Sequence, residues 1–421
     1  MESEFLVFHW KHLSDDQSGL SAASWCAGAT KTSCDLVPWL PLPVEKQFVH
    51  YKLSVPLRSG SSVYVTIQGR NGAGQNSNST SQLLVIDTTP PSTGFVRVGK
   101  KQQVQYFQQN EHVTVTWGGI RDMESGINRY QWKLCYSSWK SKCISQYASV
   151  GTRSSLKLTN LALTPGVFYV IVVKADNKVG LYKEMISNVF AMDSSAPVPQ
   201  QVYLDSGSQF QSSTVEVSAK WLPFLDPESG ITEYQVCLGT KQYSCDVKEF
   251  QSFGKRLQAN ITGLDLNHTD SYHITVRAFN GAGLFVVSSS ESVTMDTTPP
   301  LEARVRDGET SQDIDIQWDD SIIAANWDEF SDPESDIIKY LWCAGTQTGV
   351  CDVVPQTDVG KSLRVQKAMS PTMPSGLTVY ITVIAVNGAG AESQGYSDGM
   401  TIDTTPPLAT KASRMLTINQ S

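Results

Sequence analysis

The sequence predicts an all-β protein of four tandem β-sandwiches that follow one another like beads on a string. Three observations support this prediction: a junction motif that recurs four times, short apolar strands that come in the same order within each repeat, and eight cysteines that fall into four pairs. Thr, Ser and Val with Gly-rich turns dominate the chain, and this composition favours strands over helices. Regular recurrence of this kind indicates an array of similar structural units.

The junction motif is Asp-Thr-Thr-Pro-Pro at 87–91, 296–300 and 403–407, with Asp-Ser-Ser-Ala-Pro at 193–197. Its copies lie about 105 residues apart, near the commonest domain size. Proline removes a backbone donor and fixes φ, so regular structure cannot continue through the motif. Asp, Thr and Ser hydrogen-bond their own backbone just before the prolines. The motif therefore predicts a short, semi-rigid linker.

The junctions set the predicted domain boundaries. Each segment between them is long enough to bury a core of its own. The first segment begins directly with what is the second strand elsewhere, so we expect it to lack the opening strand. The predicted domains, repeats 1 to 4, are residues 1–91, 92–197, 198–300 and 301–407, and residues 408–421 are expected to start a truncated further repeat.

An early strand of each repeat ends in tryptophan. Its apolar residues are spaced by two, which places them on one face of a half-buried strand. They are Leu6, Phe8 and Trp10; Val113, Val115 and Trp117; Val215, Val217, Ala219 and Trp221; and Ile323, Ala325 and Trp327. An acidic turn comes five residues after each Trp, and it begins with Asp15, Asp122, Asp226 or Asp332.

A late strand of each repeat alternates cleanly and runs into an asparagine followed by a Gly-containing turn. Its inward residues are Val63, Val65, Ile67 and Gly69; Tyr169, Ile171, Val173 and Ala175; Tyr272, Ile274, Val276 and Ala278; and Val379, Ile381, Val383 and Ala385. The asparagines are Asn71, Asn177, Asn280 and Asn387. We expect one last strand between each of them and the following linker.

These ordered signals resemble the fibronectin type III family. The early Trp, the Tyr-x-Ile-x-Val-x-Ala-x-Asn strand and the Gly turn carry the resemblance. The acidic turn and the Asp-Thr-Thr-Pro-Pro junction are similar to a variant in extracellular animal proteins. The resemblance implies immunoglobulin-like sandwiches of about seven strands. It also implies that the hydroxyls of Tyr169 and Tyr272 bond nearby backbone, whereas Val63 and Val379 leave that corner to packing.

The cysteines come two to a repeat, always eight positions apart. Turn residues separate them, so we expect each pair to face across a hairpin ladder within disulfide reach. Zinc and redox roles are disfavoured, because Cys-x₂₋₄-Cys spacing and accompanying histidines are absent. The sequence therefore predicts one disulfide per repeat and an oxidising compartment. The pairs are Cys26/Cys34, Cys135/Cys143, Cys237/Cys245 and Cys343/Cys351.

The sequons agree with the cysteines in indicating an extracellular location, whereas the N-terminus alone would indicate a cytosolic protein. The net charge of −8, without any basic run, argues against nucleic acid as a partner. No apolar run reaches the ~18 residues of a membrane span, and the first residues lack the features of a secretory signal. We interpret the chain as an internal segment of a larger secreted or cell-surface protein. N-glycosylation is predicted at Asn78, Asn260, Asn267 and Asn419.

No catalytic constellation is visible in the sequence. The six histidines recur at no common repeat position, so we expect them to be solvated or at strand edges. The Gly-Ala-Gly turns lack the spacing of a phosphate-binding loop. We therefore predict no enzyme activity and no cofactor. The histidines are His9, His12, His50, His112, His268 and His273.

Carboxylates are expected to meet at each junction, because the linker Asp of one repeat should reach the pole where the next repeat has its acidic turn. The expected groups are Asp87 with Asp122 and Glu124, Asp193 with Asp226 and Glu228, and Asp296 with Asp332 and Glu334. Ca²⁺ takes about six to eight oxygen ligands, more than these groups supply. We predict no resident metal, with Ca²⁺ as the alternative to simple turn capping.

Taken together, these features predict a non-catalytic spacer and protein-interaction segment, of the kind found in adhesion proteins and receptor ectodomains. Its partners would be extracellular proteins or glycans. The alternative is a substrate- or glycan-binding array attached to an extracellular enzyme. Fold similarity alone does not decide between these functions.

Overall fold

The computed structural model describes residues 2–100, 103–109, 111–138 and 142–409. All regular structure in these residues is β-strand. The chain divides into two compact units: the first holds residues 1–195 with 227–230 and 281–283, and the second holds the remainder. The fold is thus all-β, as predicted, and the sheets of each unit form β-sandwiches.

In the first unit, repeat 1 contains seven strands in two sheets. A two-stranded sheet pairs β1 with β4, and a larger sheet has the order β3-β2-β5-β6, with β7 also on β5. Among the described residues β1 pairs with β4 alone. The strands are β1 Glu2–His9, β2 Leu20–Gly28, β3 Val37–Pro41, β4 Phe48–Arg58, β5 Ser62–Asn71, β6 Asn76–Thr80 and β7 Leu84–Val85.

Repeat 2, also in the first unit, has a small sheet β13-β10-β8 and a larger sheet β12-β11-β14-β16-β9, with β15 also on β14. The opening segment crosses between the sheets, because β8 pairs antiparallel with β10 whereas β9 pairs parallel with β16. The strands are β8 Phe95–Val98, β9 Gln105–Phe107, β10 Val113–Gly118, β11 Ile127–Tyr136, β12 Ala148–Gly151, β13 Ser155–Leu158, β14 Phe168–Asn177, β15 Tyr182–Ile186 and β16 Phe190–Met192.

Repeat 3, which lies in the second unit apart from residues 227–230 and 281–283, repeats this topology with sheets β17-β19-β22 and β18-β25-β23-β20-β21, with β24 also on β23. Its opening segment crosses over in the same way, since β18 is parallel to β25. The strands are β17 Val202–Leu204, β18 Phe210–Gln211, β19 Glu216–Trp221, β20 Ile231–Gly239, β21 Lys248–Gly254, β22 Gln258–Thr262, β23 Ser271–Asn280, β24 Phe285–Ser289 and β25 Val293–Met295.

Repeat 4 completes the second unit with sheets β26-β28-β31 and β27-β34-β32-β29-β30, with β33 also on β32. The strands are β26 Val305–Asp307, β27 Ile316–Gln317, β28 Ile322–Trp327, β29 Ile337–Gly345, β30 Val354–Asp358, β31 Arg364–Ala368, β32 Thr378–Asn387, β33 Glu392–Tyr396 and β34 Met400–Ile402. Of the predicted further repeat at 408–421, residues 410–421 lie outside the described residues.

Four large apolar cores lie between the sheets, and each is confined to one of the predicted repeats. The late strands supply much of each core: Ile171, Ile274 and Ile381 are fully buried. One early-strand prediction was wrong. Val215 is 59% exposed, because β19 begins one residue later, at Glu216.

The predicted last strand of each repeat is broken in two, as β15 and β16 show in repeat 2. A serine sits at the break. Ser187 accepts a hydrogen bond on its hydroxyl from the Ile171 amide at 3.0 Å, and its own amide donates to the Ile171 carbonyl at 2.9 Å. The hydroxyl thus replaces a backbone acceptor, and the strand can leave the ladder there without an unpaired amide.

The predicted tyrosine corners are present. The Thr164 amide donates to the Tyr169 hydroxyl at 3.1 Å, and the Asn267 amide donates to the Tyr272 hydroxyl at the same distance. A second tyrosine contact was not predicted. The hydroxyl of Tyr340 accepts the Phe330 amide at 3.2 Å, which pins the acidic turn that follows β28 to β29.

Candidate functional site

Three polar side chains meet where the linker at 296–300 enters repeat 4, within the second unit. Asp296 directly follows β25, Asp332 lies in the acidic turn after β28, and Asn387 ends β32. Asn387 stands opposite Ile337, the first residue of β29, in the antiparallel ladder. The turn that precedes β29 and the end of β32 therefore lie at the same pole of the repeat.

The side-chain amide of Asn387 bonds both carboxylates and the linker backbone. Its Nδ2 donates to Asp296 Oδ2 at 2.8 Å, to Asp332 Oδ2 at 3.0 Å and to the Thr298 carbonyl at 3.0 Å. Asn387 and Asp296 are 0% exposed and Asp332 is 5% exposed. Buried carboxylates need hydrogen-bond donors, and this amide supplies them. We call Asp296, Asp332 and Asn387 the linker clasp of repeat 4.

A serine and a glycine complete the clasp. The Ser335 hydroxyl donates to Asp296 Oδ2 at 2.6 Å, and its amide donates to Asp332 Oδ1 at 2.8 Å. The backbone of Gly388 passes so close to this turn that a Cβ at 388 would lie 2.6 Å from the Ser335 carbonyl oxygen. Only glycine permits that approach.

Repeat 2 has the same clasp in the first unit, formed by Asp87, Asp122 and Asn177. Asn177 Nδ2 donates to Asp87 Oδ2 at 2.9 Å, to Asp122 Oδ2 at 3.2 Å and to the Thr89 carbonyl at 3.2 Å. Asn177 is fully buried, whereas both carboxylates are half-buried. The linker at 87–91 is thus bonded to the repeat that it enters.

The clasp favours an ionised Asp122. Burial opposes the charge, but hydrogen bonds from the Asn177 side chain and from the amides of Gly126 and Ser125 outweigh it. The pKa of the Asp122 carboxyl therefore lies below its ordinary value. The clasp is accordingly an interaction of charged acceptors with neutral donors, which is stronger than a neutral hydrogen bond.

The linker at 193–197 also bonds to an acidic turn of the first unit. The Asp193 carboxylate, fully buried, accepts the hydroxyl of Ser229. The Ser195 hydroxyl donates to Glu228 Oε2 at 2.6 Å, and its amide donates to the same oxygen at 3.2 Å. The matching residue of the linker at 296–300 makes the same contact at a longer distance, since the Thr298 hydroxyl donates to Glu334 Oε2 at 3.4 Å.

Two positions in the chain show the clasp residues without a closed clasp. Asp403, in the copy at 403–407, is exposed, and among the described residues its carboxylate accepts hydrogen bonds from Thr405 alone. In repeat 1, Asn71 donates to Asp15 at the longer distance of 3.3 Å. These positions are internal controls, because their sequences match those of the closed clasps.

The carboxylates expected to meet come together at two junctions. One oxygen from each of three residues lies within 4.8 Å of the others in the groups Asp87, Asp122, Glu124 and Asp296, Asp332, Glu334. In both groups the two Asp side chains already accept the Asn amide. Ca²⁺ binding at these junctions therefore stays an untested alternative to the prediction of no resident metal.

The third expected group is shared between the units. In the second unit Asp226 accepts the side-chain amide of Asn280 at 3.1 Å. The approach of Asp226 to Asp193 would cross from one unit to the other, so that grouping also remains a prediction.

One histidine has a role that the sequence did not predict. The Thr297 amide donates to His268 Nδ1 at 3.2 Å, and His268 Nε2 lies 3.6 Å from Glu334 Oε1. His268 therefore connects the linker of 296–300 to the acidic turn of repeat 4. A histidine in a loop carries no sequence signal for this contact, since the partners lie far along the chain.

All four predicted cysteine pairs form disulfides, with S–S distances of 2.03 to 2.06 Å. The first cysteine of each pair is fully buried. The four bridges are Cys26–Cys34, Cys135–Cys143, Cys237–Cys245 and Cys343–Cys351.

The expectation that the paired cysteines face each other across a ladder was right for Cys135 and Cys143 alone, which form an isolated bridge. It was wrong for Cys34, Cys245 and Cys351, which lie in the turns before β3, β21 and β30 and not on a strand. The reason is the strand register. In each of these repeats the ladder begins three residues after the second cysteine, with the pairs Ala27/Val37, Leu238/Lys248 and Ala344/Val354.

The turns nevertheless bring these cysteines within reach of their partners. The Cα–Cα distance is 5.4 Å for Cys26–Cys34 and for Cys237–Cys245, and 5.3 Å for Cys343–Cys351. These distances lie in the usual range for a disulfide. Cys34 and Cys245 are half-buried, whereas Cys351 is exposed. The bridges therefore tie the turn of each hairpin to its buried first strand.

Three predicted glycosylation sites are exposed: Asn78, Asn260 and Asn267. Asn260 donates to Glu216 Oε2 at 2.8 Å, and Asn267 donates to Asp270 Oδ2 at 3.0 Å. The fourth predicted site, Asn419, lies outside the described residues. Glycan attachment at these positions remains a prediction.

No protein-family model and no curated protein sequence matches the chain. Solved structures of fibronectin type III tandems do match. The FN1–FN3 domains of chicken CNTN1 have 17% identity and a TM-score of 0.29, over 74% of this chain and 96% of that one. Fibronectin(III)-like modules of Clostridium thermocellum CbhA have 11% identity and a TM-score of 0.30, over 48% and 94%. These low values support no inference about binding or activity.

The described residues contain no helix with the length and apolarity needed to cross a membrane.

Proposed function

We propose that this chain is a non-catalytic spacer and protein-interaction segment of a larger secreted or cell-surface protein. The linker clasps are the observation that carries the proposal. In repeats 2 and 4 a buried Asn holds the Asp of the preceding linker, the linker backbone and the acidic turn together. A spacer keeps the domains at its two ends at a fixed distance only if the linkers between its repeats resist bending. The clasp restrains the linker in this way.

Two features of the junction restrict its motion, the prolines and the clasp. The two prolines restrict φ at the end of the linker, and the clasp fixes its beginning at Asp296. Freeing the linker would take the Asp296 carboxylate and the Thr298 carbonyl away from the buried Asn387 amide, and it would take Asp296 away from the buried Ser335 hydroxyl. An unsatisfied buried polar group costs about 1–3 kcal/mol, and more when it is charged. The clasped state should therefore dominate at equilibrium.

Outward-facing aromatic rings around a cation support the interaction role. In repeat 2 the Lys174 ammonium lies 4.3 Å from the Tyr182 ring centroid and 5.6 Å from that of Tyr147. Tyr182 is 54% exposed. Amphipathic rings and a cation that share one exposed face are typical of protein-interaction surfaces.

Repeat 3 has the same arrangement at the matching strand position. Arg277, three residues before Asn280 as Lys174 is before Asn177, lies 3.9 Å from the Phe250 ring centroid and 5.4 Å from that of Phe285. Phe285 is 51% exposed. Exposed rings also stack on sugars, so these faces favour the glycan-binding array as the second candidate. Specific glycan-array signals that disappear in a Phe285→Ala, Tyr182→Ala double variant would favour it over the protein-interaction role.

The spacer proposal predicts a narrow distance distribution across the junction between repeats 3 and 4. Spin labels would be attached through non-canonical amino acids at the exposed positions Thr262 and Lys367 of the full chain. Double electron–electron resonance should give one narrow distribution of distances between the two labels. Asn387→Ala should broaden this distribution because the linker is released.

Asn71→Ala is the matched control, since in the part of the chain that the structure describes the Asn71 amide donates to the acidic turn and not to a linker, and it should leave the distribution narrow. Circular dichroism would show that both variants remain folded. An unmodified chain whose distribution is as broad as that of Asn387→Ala would contradict the spacer role.

A further inference from the structure

A buried aspartate of repeat 4 occupies a position that is apolar in the other complete repeats. Asp307 pairs with Ala325 across β26 and β28. The matching residue of repeat 2 is Val98, which is fully buried, and that of repeat 3 is Leu204, which packs against its core. Asp307 is 0% exposed. A carboxylate at such a position is costly unless it has a partner.

Asp307 is incompletely satisfied by the protein. Its Oδ2 accepts the Gly399 amide at 3.2 Å. Its Oδ1 is buried and has no hydrogen-bond partner among the described residues. The buried Oδ1 without a hydrogen-bond partner therefore indicates that a positively charged group is missing beside Asp307.

Two further carboxylates converge on Asp307. One oxygen each from Asp307, Asp313 and Asp398 lies within 4.8 Å of the others. Asp313 accepts the Asp307 amide at 2.8 Å and lies 3.3 Å from Arg304 Nη2. Asp398 is exposed, which leaves the group open to solvent on one side.

In repeat 2 an uncharged side chain occupies the position that matches Asp398. In repeat 2 it is Asn188, which accepts the Val98 amide at 2.8 Å and donates to the Val98 carbonyl at 3.1 Å. An amide therefore completes that strand with neutral hydrogen bonds. Repeat 4 instead has Asp307 at the position of Val98 and Asp398 at the position of Asn188. Two ionised carboxylates have no hydrogen-bond donor and cannot bond to each other in this way.

The charges define the class of ligand. Three carboxylates and one nearby guanidinium leave a deficit of two positive charges when all are ionised. The Arg304 side chain is 64% exposed, and exposed ion pairs contribute little. A divalent cation would supply both charges, and an all-oxygen set selects hard cations over zinc.

We propose that Asp307, Asp313 and Asp398 bind one Ca²⁺ ion in repeat 4. The carboxylates provide the protein ligands, and water reaches the remaining coordination positions from the side of Asp398. Ca²⁺ is favoured over Mg²⁺ because its coordination tolerates irregular geometry, whereas Mg²⁺ demands a near-ideal octahedron. This site is separate from the linker clasps and does not depend on the spacer function.

The test is calcium titration of the full chain by isothermal calorimetry, with an excess of Mg²⁺ present. Asp307→Val places the residue of repeat 2 at this position, so the variant should fold and should bind one Ca²⁺ ion fewer than the unmodified chain. Asp398→Asn, at an exposed position, should weaken binding at the site by roughly tenfold or more. Glu291→Gln, at the matching position of repeat 3, is the control and should change nothing.

Clear results decide the proposal in either direction. It is overturned if the unmodified chain binds no Ca²⁺, if Asp307→Val keeps the same stoichiometry, or if Asp398→Asn and Glu291→Gln behave alike. Any Ca²⁺ bound at the carboxylate groups of the junctions would persist in all three variants, so the difference in stoichiometry isolates this site. Circular dichroism of Asp307→Val would show that its lost binding does not arise from unfolding.

Discussion

Replacing Asn387 by leucine is expected to destabilise repeat 4 by about 3 kcal/mol or more. Leucine has nearly the same volume but no donor, so two buried carboxylates, those of Asp296 and Asp332, lose the amide that they share. Urea unfolding followed by hydrogen exchange and mass spectrometry would report the free energy of unfolding for each repeat separately.

Asn71→Leu in repeat 1 is the matched comparison. Asn71 is only half-buried, and its amide reaches one carboxylate at 3.3 Å. Its loss should cost repeat 1 no more than about 1 kcal/mol. Equal losses in the two variants would mean that the clasp of repeat 4 contributes nothing beyond an ordinary turn hydrogen bond.

Removing the disulfide of repeat 4 with the double substitution Cys343→Ala, Cys351→Ala is expected to cost about 2.5 kcal/mol. The bridge closes a short loop, and its loss restores conformational entropy to the unfolded chain. The same repeat-resolved urea experiment measures this effect, and the other three repeats should be unchanged because each has its own core and bridge.

Reductant provides the control for the disulfide. Dithiothreitol should lower the stability of repeat 4 in the unmodified chain to that of the double variant, and it should have no further effect on repeat 4 of the variant. If the double variant unfolds at the same urea concentration as the unmodified chain, the bridge does not stabilise the repeat.

Much of the fold could be predicted from local pattern. Alternation with a period of two identified the buried faces of the late strands, since Ile171, Ile274 and Ile381 are all fully buried. Pattern failed at Val215, since alternation gives the face of a strand but not the residue at which pairing begins.

The disulfides were predicted correctly as pairs but not in their position on the hairpin. Equal cysteine spacing identified the pairs, because a bridge needs only two residues brought close by one turn. It did not give the register, so Cys34 and Cys245 were expected on a strand and lie three residues before the first ladder pair of β3 and β21. A spacing of eight fits a bridge across a ladder and a bridge to the preceding turn equally well.

The clasp could be predicted only in part. Its carboxylates were expected at the junctions, but Asn387 was interpreted as a turn residue. Asn387 lies 91 residues from Asp296 and 55 residues from Asp332 along the chain. A contact at such separation depends on the register of several strands, which no short motif encodes. The recurrence of Asn at the same place in all four repeats was the available signal.

Asp307 was not identified from the sequence for a related reason. The Asp-Gly at 307–308 has the composition of an ordinary surface turn. Its burial becomes apparent only when β26 is aligned with β8 and β17, which places Asp307 beside Val98 and Leu204.

The central claim is that the linkers are held by the repeats they enter, and amide exchange at two identical sequences tests it most directly. The amides of Thr298 and Thr405 each donate to the preceding Asp at 3.0 Å, within the same Asp-Thr-Thr-Pro-Pro sequence. Asp296 is buried in a clasp, whereas Asp403 is exposed. Exchange resolved at single residues by NMR should be slower at Thr298 than at Thr405 by roughly tenfold or more, because the clasp must open first. Equal exchange rates at the two threonines would contradict the claim.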